Sequence, residues 1–390
     1  MKKSGKAMFL TFALLTAAVL CGCGPASPET TEVHFPDPTL EELIREEIAK
    51  PAGDIYASDL VEITSLDLLT WTQHLPDITD LTGLEYCINL KNLYGGSRNI
   101  SDISPLSGLT NLTTLGLSSS NISDISSLAN LVNLKKLYLT GNRIIDIRPL
   151  AGFSNMEELH LDSNSIVDIS PLSALSSLQE IEIPWNRVKD LSALSGLNNL
   201  KDLSIVGNNI ADISPLENLV QLEDLSIGHN VIADFSPIEA LVNLERLWIH
   251  NCSITEVSFL SNLANLTYLS MSEDHIYDIS PVSNLTNLET LWLSDSDISD
   301  ISALSGLNNL DSLVLDNNSI SDIAFLSDLT NLKALWLHNN QISDIKPLVD
   351  NTGLSDGDLL NLRDNPLSDI SINTYIPQLE ARGVIVTFEQ

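Results

Sequence analysis

Apolar positions along this chain recur with a stride of 22 residues, and the elements follow from that spacing. In the stretch 332–348, Leu332, Leu335, Leu337, Ile342, Ile345 and Leu348 are apolar and the positions between them mostly polar. The same skeleton begins again at Leu310 and at Leu288. Eleven such steps reach Leu90 without insertion or deletion, so twelve units share one frame. The shared unit reads L-x-x-L-x-L-x-x-N-x-I-x-D-I-x-P-L-x-x-L-x-x. The alternation L-x-L has the two-residue period of a short strand with its leucines turned inward. A unit this small cannot bury its apolar face alone, so neighbours must stack and their strands must pair in parallel, about 4.8 Å apart. Little room remains for a full helix on the outer side. Tight 3₁₀ turns are expected there, with Ser capping and Pro at the first position in pairs such as Ser104-Pro105 and Ser170-Pro171. The strand side is then wider than the outer side, and the stack bends with its sheet concave.

The pattern changes at both ends. Asp37-Pro38 reads as N-cap and first residue of a helix, with Leu40, Leu43, Ile44 and Ile48 as its apolar stripe and Pro51 and Gly53 as its stop. A first strand is expected around Ser65–Leu68, followed by a degenerate unit with Asp80, Leu81 and Leu84 in frame. At the other end the stride slips from 22 to 25 between Asn340 and Asn365. A helix up to Arg382, Gly383 as its terminator and a strand over Val384–Phe388 then close the core. Pro377 lies inside that helix and leaves its start open. The predicted division is 1–22 signal peptide, 23–36 modified N-terminus and tether, 37–89 N-terminal cap and degenerate repeat, 90–353 twelve repeats, and 354–390 C-terminal repeat and cap.

The unit is that of a leucine-rich repeat, and the chain as a whole reads as an α/β solenoid, a horseshoe with a concave parallel sheet. The N-x-I-x-D-I-x-P-L motif, the 22-residue stride and the helical N-terminal cap resemble the SDS22-type repeats of internalins and related bacterial surface proteins, from about Asp37 to the C-terminus. That resemblance implies binding of host or cell-surface protein partners through the concave face. Two expected departures are a missing immunoglobulin-like module after the repeats and a missing C-terminal wall-anchoring motif.

Lys2, Lys3 and Lys6 precede an apolar run from Ala7 to Leu20, too short for a bilayer that needs roughly 20 residues. A basic start, a short apolar segment and small residues behind it describe a secretory signal peptide. The ending Leu20-Cys21-Gly22-Cys23 resembles the lipobox of bacterial lipoproteins. On that resemblance Cys23 becomes the N-terminus and carries thioether-linked diacylglycerol, which places the chain outside the cytoplasm, lipid-anchored at a bacterial cell surface. Cys21 is disfavoured because bulky Leu20 would sit at the cleavage point. The tether from Gly24 to Pro36 reaches at most about 45 Å at roughly 3.5 Å per residue, so the solenoid is expected close to the membrane.

Charge narrows the partners. A formal charge of −33 repels phosphate backbones and anionic lipid headgroups, which excludes nucleic acid. The acid before Ile is Asp in eleven units and Glu256 in the other, and Asp in turns bonds nearby backbone amides, so that column reads as structural. The ninth position holds Asn142, Asn164, Asn186, Asn208, Asn230, Asn318 and Asn340, which can satisfy unpaired backbone groups of neighbouring turns. Cys252, Asp274 and Ser296 replace it consecutively, and a looser ladder is expected there. Cys87 and Cys252 lie about 38 Å apart by strand spacing and cannot bridge within one chain.

Outward strand positions carry the candidate surface. Tyr138, His160, Glu182, Trp248, Trp292 and Trp336 share one column, and Arg246 and Tyr268 lie on the next, beside Glu158, Glu180, Asp202 and Asp224. Trp248, Trp292 and Trp336 recur every second unit, about 10 Å apart. An acidic middle and an aromatic C-terminal half point to a basic or neutral protein surface as partner. The alternative partner is a glycan chain stacking on alternate tryptophans. His229, His250, Glu273 and Asp295, with Asp274, Asp297 and Asp316 nearby, offer the donor types of a Ca²⁺-type site, but their place just after the strands reads as that of solvated turn residues. No metal or other cofactor is assigned. No G-x-S-x-G, phosphate loop or H-E-x-x-H occurs, and no nucleophile is paired with a histidine by recognisable spacing, so the expectation is a binding protein, not an enzyme.

Overall fold

The computed structural model describes residues 31–68, 77–96 and 99–389. The signal segment, Cys23 and most of the tether lie outside the described residues. Fifteen strands form one sheet whose spatial order follows the chain from Ser65–Asp67 to Ile385–Thr387. Neighbours are parallel and paired at the sequence stride, as in Leu203↔Leu225↔Leu247. This is the leucine-rich-repeat horseshoe. Its inward rows form one continuous aliphatic core from Val33 to Val384. Among the described residues no helix is long and apolar enough to cross a membrane.

Most strands span only three residues because each unit turns sharply after them. The eighth position is left-handed in each repeat from Ser119 to Asn339, at φ 56° in Ser119, 54° in Trp185, 55° in His229 and 62° in Glu273, and Gly207 supplies it at 64°. The ninth-position asparagine then secures the turn. Asn208 Oδ1 accepts from Val188 N at 3.0 Å, and its Nδ2 donates to the Ile183 and Ile205 carbonyls, each at 3.0 Å. The ladder is looser where asparagine is absent. Asp274 keeps the accepting half, from Cys252 N and Ile254 N. Cys252 reaches the Ile227 carbonyl only through sulfur at 3.5 Å, and Ser296 bonds only locally, to the Ser294 carbonyl. A second asparagine column, unread in the sequence beyond its Asn-x-Ser/Thr matches, bridges the outer side: Asn111 donates to the Ile88 carbonyl at 2.8 Å and Asn265 to Val242 at 2.9 Å.

The 3₁₀ turns occur as expected, from Ser104–Leu106 to Ala324–Ser327, but their cap is different. Ser does not cap them. The aspartate two residues earlier does, as Asp102 Oδ1 accepts from Ser104 N at 2.8 Å and Asp212 Oδ1 from Ser214 N at 2.8 Å. A carboxylate reaches over Ile to the first free amide of the turn, leaving Ser and Pro as its first two residues. These bonds hold the Asp168, Asp190 and Asp212 carboxyls below their usual range.

Both caps close the apolar ends. The helix Pro38–Glu47 is capped by Asp37, whose Oδ1 accepts from Thr39 N and Leu40 N. The same carboxylate's Oδ2 accepts from Thr79 N, Thr79 Oγ1 and Asp80 N, tying the helix to the degenerate unit. The helix stops earlier than Pro51 and Gly53 suggest. Ala49 is left-handed at φ 51°, and Ala49 N and Lys50 N bond back to the Glu46 and Arg45 carbonyls. At the far end a wide π-type turn, Ser371–Tyr375, precedes the helix Ile376–Glu380 and accommodates Pro377, which has no N–H to donate. Gly383 at φ 89° ends that helix and leads into the last strand.

Candidate functional site

Alternation within each strand turns its first and third residues away from the leucine core, and parallel register aligns them into two columns. The first column reads Lys136↔Glu158↔Glu180↔Asp202↔Asp224↔Arg246↔Tyr268. Four successive carboxylates are thus bracketed by a cation at each end. Lys136 pairs with Glu158, which also accepts from Tyr138 Oη at 2.6 Å. Burial would raise the Glu158 carboxyl, but these two bonds prevail and hold it below its usual range. At the other end Arg246 clamps Asp224 through Nε and through Nη2 at 2.6 Å. Asp202, between them, has no ion-pair partner of its own among the described residues. Burial first, then Asp224, Glu180 and Glu182, push its carboxyl up to about 6.

The second column supplies the imidazole. His160 and Glu182 are register partners, with His160 Nδ1 3.3 Å from Glu182 Oε2 and His160 Nε2 2.8 Å from Glu180 Oε1. The Tyr138 ring meets the imidazole edge-on at 4.8 Å and fixes its tilt. Burial, with Asp162 and Glu180 nearby, pushes the Glu182 carboxyl up against the pull of His160.

Aromatic residues take over beyond Arg246. The expected spacing of isolated tryptophans is altered by Tyr268, whose ring lies 4.8 Å from Trp248 and 5.4 Å from Trp292. The three form one continuous apolar patch, with Trp292 its most exposed member at 41%. Trp336 stands apart, separated from Trp292 by Val314 in the register. All eight residues singled out in the sequence therefore lie on this sheet face, in three groups: Tyr138, His160 and Glu182; Arg246 with Trp248, Tyr268 and Trp292; and Trp336.

The histidine–acid set weighed in the sequence does not form a ligand cluster. His229 Nδ1 accepts from Asn251 Nδ2 at 3.0 Å, and the His229 and His250 rings meet edge-on at 4.8 Å. Among the described residues the metal-competent set is His160, Glu180 and Glu182. Sequence reading also passed over Trp185. Its ring is 55% exposed and lies across Gly207, where a Cβ would come within 2.3 Å of it. The period places Trp185 at a turn, but only the fold shows the stack of Trp185, His229 and His250 along the edge of the sheet. Cys87 and Cys252 are buried free thiols, pushed up by desolvation to about 12 and about 11, and take no part in this surface.

The family model for leucine-rich repeats (two copies) matches residues 110–154, 132–174, 198–240, 242–284, 264–306 and 308–350. No curated protein matches the chain. Among solved structures, an internalin (InlF) from Listeria monocytogenes is 36% identical over 86% of this chain and 96% of its own, with a TM-score of 0.78. A leucine-rich-repeat protein of Leptospira interrogans is 24% identical over 80% of this chain and 81% of its own, with a TM-score of 0.73. A plant peptide hormone receptor, RGFR1 in complex with RGF2, is 19% identical over 86% of this chain and 64% of its own, at a TM-score of 0.65.

Proposed function

Since the chain belongs to the leucine-rich-repeat family and its solenoid is internalin-like, we propose that its sheet face binds a protein partner presenting a cation beside apolar surface. The observation that carries this reading is the junction at Asp202–Arg246–Trp248. Asp202, a half-buried carboxylate with no ion pair of its own among the described residues, lies two strands from Arg246 and Trp248, where a patch of three touching aromatic rings begins. Aromatic side chains are the usual interface anchors, and an under-neutralised acid selects a basic group. The fold is a protein-binding scaffold, and the plant receptor that shares it is in complex with RGF2. A glycan would be served by flat, separately exposed rings. Here Trp248 and Tyr268 are tilted by 37° and Tyr268 and Trp292 by 65°, which favours the protein.

The role extends to an extracytoplasmic binder, serving adhesion or envelope assembly and held to a bacterial membrane by lipid on Cys23. Its support is the basic start, the apolar run and the Leu20-Cys-Gly-Cys23 ending. Substituting Cys23→Ser should move the chain from the membrane fraction to the soluble fraction; continued membrane retention overturns the anchor.

The face itself is tested by photo-crosslinking in the native cell envelope, with the crosslinker placed at Trp292 or at exposed Val220 on the outer side. Crosslinks to one protein at Trp292 and none at Val220 support the reading. They should disappear in a Trp248→Ala, Tyr268→Ala, Trp292→Ala triple variant that melts like the parent. Equal crosslinking at both positions, or capture unchanged in the triple variant, sinks it.

A further inference from the structure

We propose that His160, Glu180 and Glu182 form a binding site for a divalent transition metal of the Zn²⁺ class on the sheet face, separate from the aromatic patch and independent of the protein-binding reading. One imidazole and two carboxylates are the donor set that Zn²⁺ accepts, and their ligand atoms already lie within 4.8 Å of one another. Bonds of roughly 2.1 Å place tetrahedral ligand atoms about 3.5 Å apart, so closure needs only small rotamer shifts. The scaffold supplies the rigidity. His160 and Glu182 are opposed on neighbouring strands, and Glu180 is two residues before Glu182 on the same face. Tyr138 packs against the imidazole edge and is itself tied to Glu158, so it acts as a positioning residue.

Two observations make this more than a set of surface acids. His160 Nε2 lies 2.8 Å from Glu180 Oε1 and Nδ1 3.3 Å from Glu182 Oε2, so the imidazole is held within reach of both carboxylates. A divalent cation bound through one ring nitrogen and both carboxylates would offset the two negative charges that these strands place side by side. Asp162, close enough for its charge to act on Glu182 and His160, keeps Oδ1 buried without a hydrogen-bond partner. A cation at the cluster compensates that charge too. Three protein ligands leave a fourth position, on the outward face of the sheet, for water or a donor atom from outside.

The test is calorimetric titration of ZnCl₂ into the purified, metal-stripped full-length chain, with melting curves recorded alongside. One equivalent should bind tightly and raise the melting temperature. His160→Gln and Glu182→Gln should each lose that equivalent, a weakening of at least 100-fold, while melting like the parent without metal. Asp202→Asn, which removes an adjacent charge but no ligand, should hold the affinity within a few-fold. Absence of a one-equivalent phase overturns the proposal. So does its persistence in the His160→Gln, Glu180→Gln double variant. An equal loss in Asp202→Asn overturns it as well, because a diffuse negative field would then be responsible.

Discussion

Asp274 sits at a place in the asparagine ladder where half of the side chain has the wrong chemistry. The other members donate through Nδ2 to two or more carbonyls, as Asn230 does to Ile205 and Ile227. Asp274 can only accept when ionised. Its Oδ1 is used twice, but Oδ2 is buried with no partner, and burial pushes the carboxyl up to about 6 despite three backbone hydrogen bonds. The folded chain therefore holds a proton there over a range where the unfolded chain has released it. Stability falls as pH rises through the window from about 4 to 6. Asp274→Asn restores the donor, and we expect it to stabilise the protein at pH 7 by about 1–3 kcal/mol. It should also flatten the pH dependence in that window, as measured by urea unfolding at pH 5 and pH 7. A destabilised variant would mean that the acid is held there for another reason. The irregular column was legible as Cys252, Asp274, Ser296. The orphaned oxygen was not, since it depends on which way the carboxylate faces across a neighbouring turn.

The strand-and-turn unit is cooperative because each leucine touches the units on both sides. Leu203 is fully buried between Ile181 and Leu225 in the sheet register. Leu203→Ala should cost about 2–5 kcal/mol, the usual penalty for a core cavity, without changing the strand signal of the folded protein in circular dichroism. The N-terminal cap is a second element-scale test. Burial would raise the Asp37 carboxyl, but its hydrogen bonds to Thr79, Leu40 and Asp80 hold it below the usual range. Its contribution is therefore present at neutral pH and lost as pH falls below about 4. Asp37→Ala should cost about 2 kcal/mol at pH 7 and less at pH 3, by denaturant melts at each pH. The helix start at Asp37-Pro38 was readable because capping is local chemistry. The bond from Asp37 to Thr79 spans 42 residues and leaves no pattern in the chain. The stop at Ala49 was misread for a related reason. A left-handed alanine is visible only in the backbone, whereas Pro51 and Gly53 are visible in the sequence. Asp102 and its successors are legible as turn residues, but Ser-Pro looks like the cap, because the capping side chain lies one residue further back than usual.

At the scale of the whole molecule the stride determines the fold, and side-chain partners determine the face. The period showed which residues point outward, so all eight candidate positions lie on one surface. It could not show that Tyr268 closes the gap between Trp248 and Trp292, or that His160 is held between two glutamates, because those contacts depend on rotamers on adjacent coils. The same stride predicts what may be removed. Each coil contacts chiefly its two neighbours, so stability is close to a sum of unit and interface terms. Deleting 310–331 takes out one whole unit and leaves every column in register. Ile298 N, now bonded to Asn318 Oδ1, would meet Asn340 instead, and Trp336 would become the direct neighbour of Trp292. That chain should fold to a horseshoe one strand shorter, with a cooperative melt at lower denaturant concentration and a tryptophan emission changed by the new Trp292–Trp336 contact. Deleting 310–320 instead sets the remaining half-unit's turn residues against a strand and should abolish cooperative melting. If both deletions unfold the protein alike, the caps rather than the repeated interfaces hold it together.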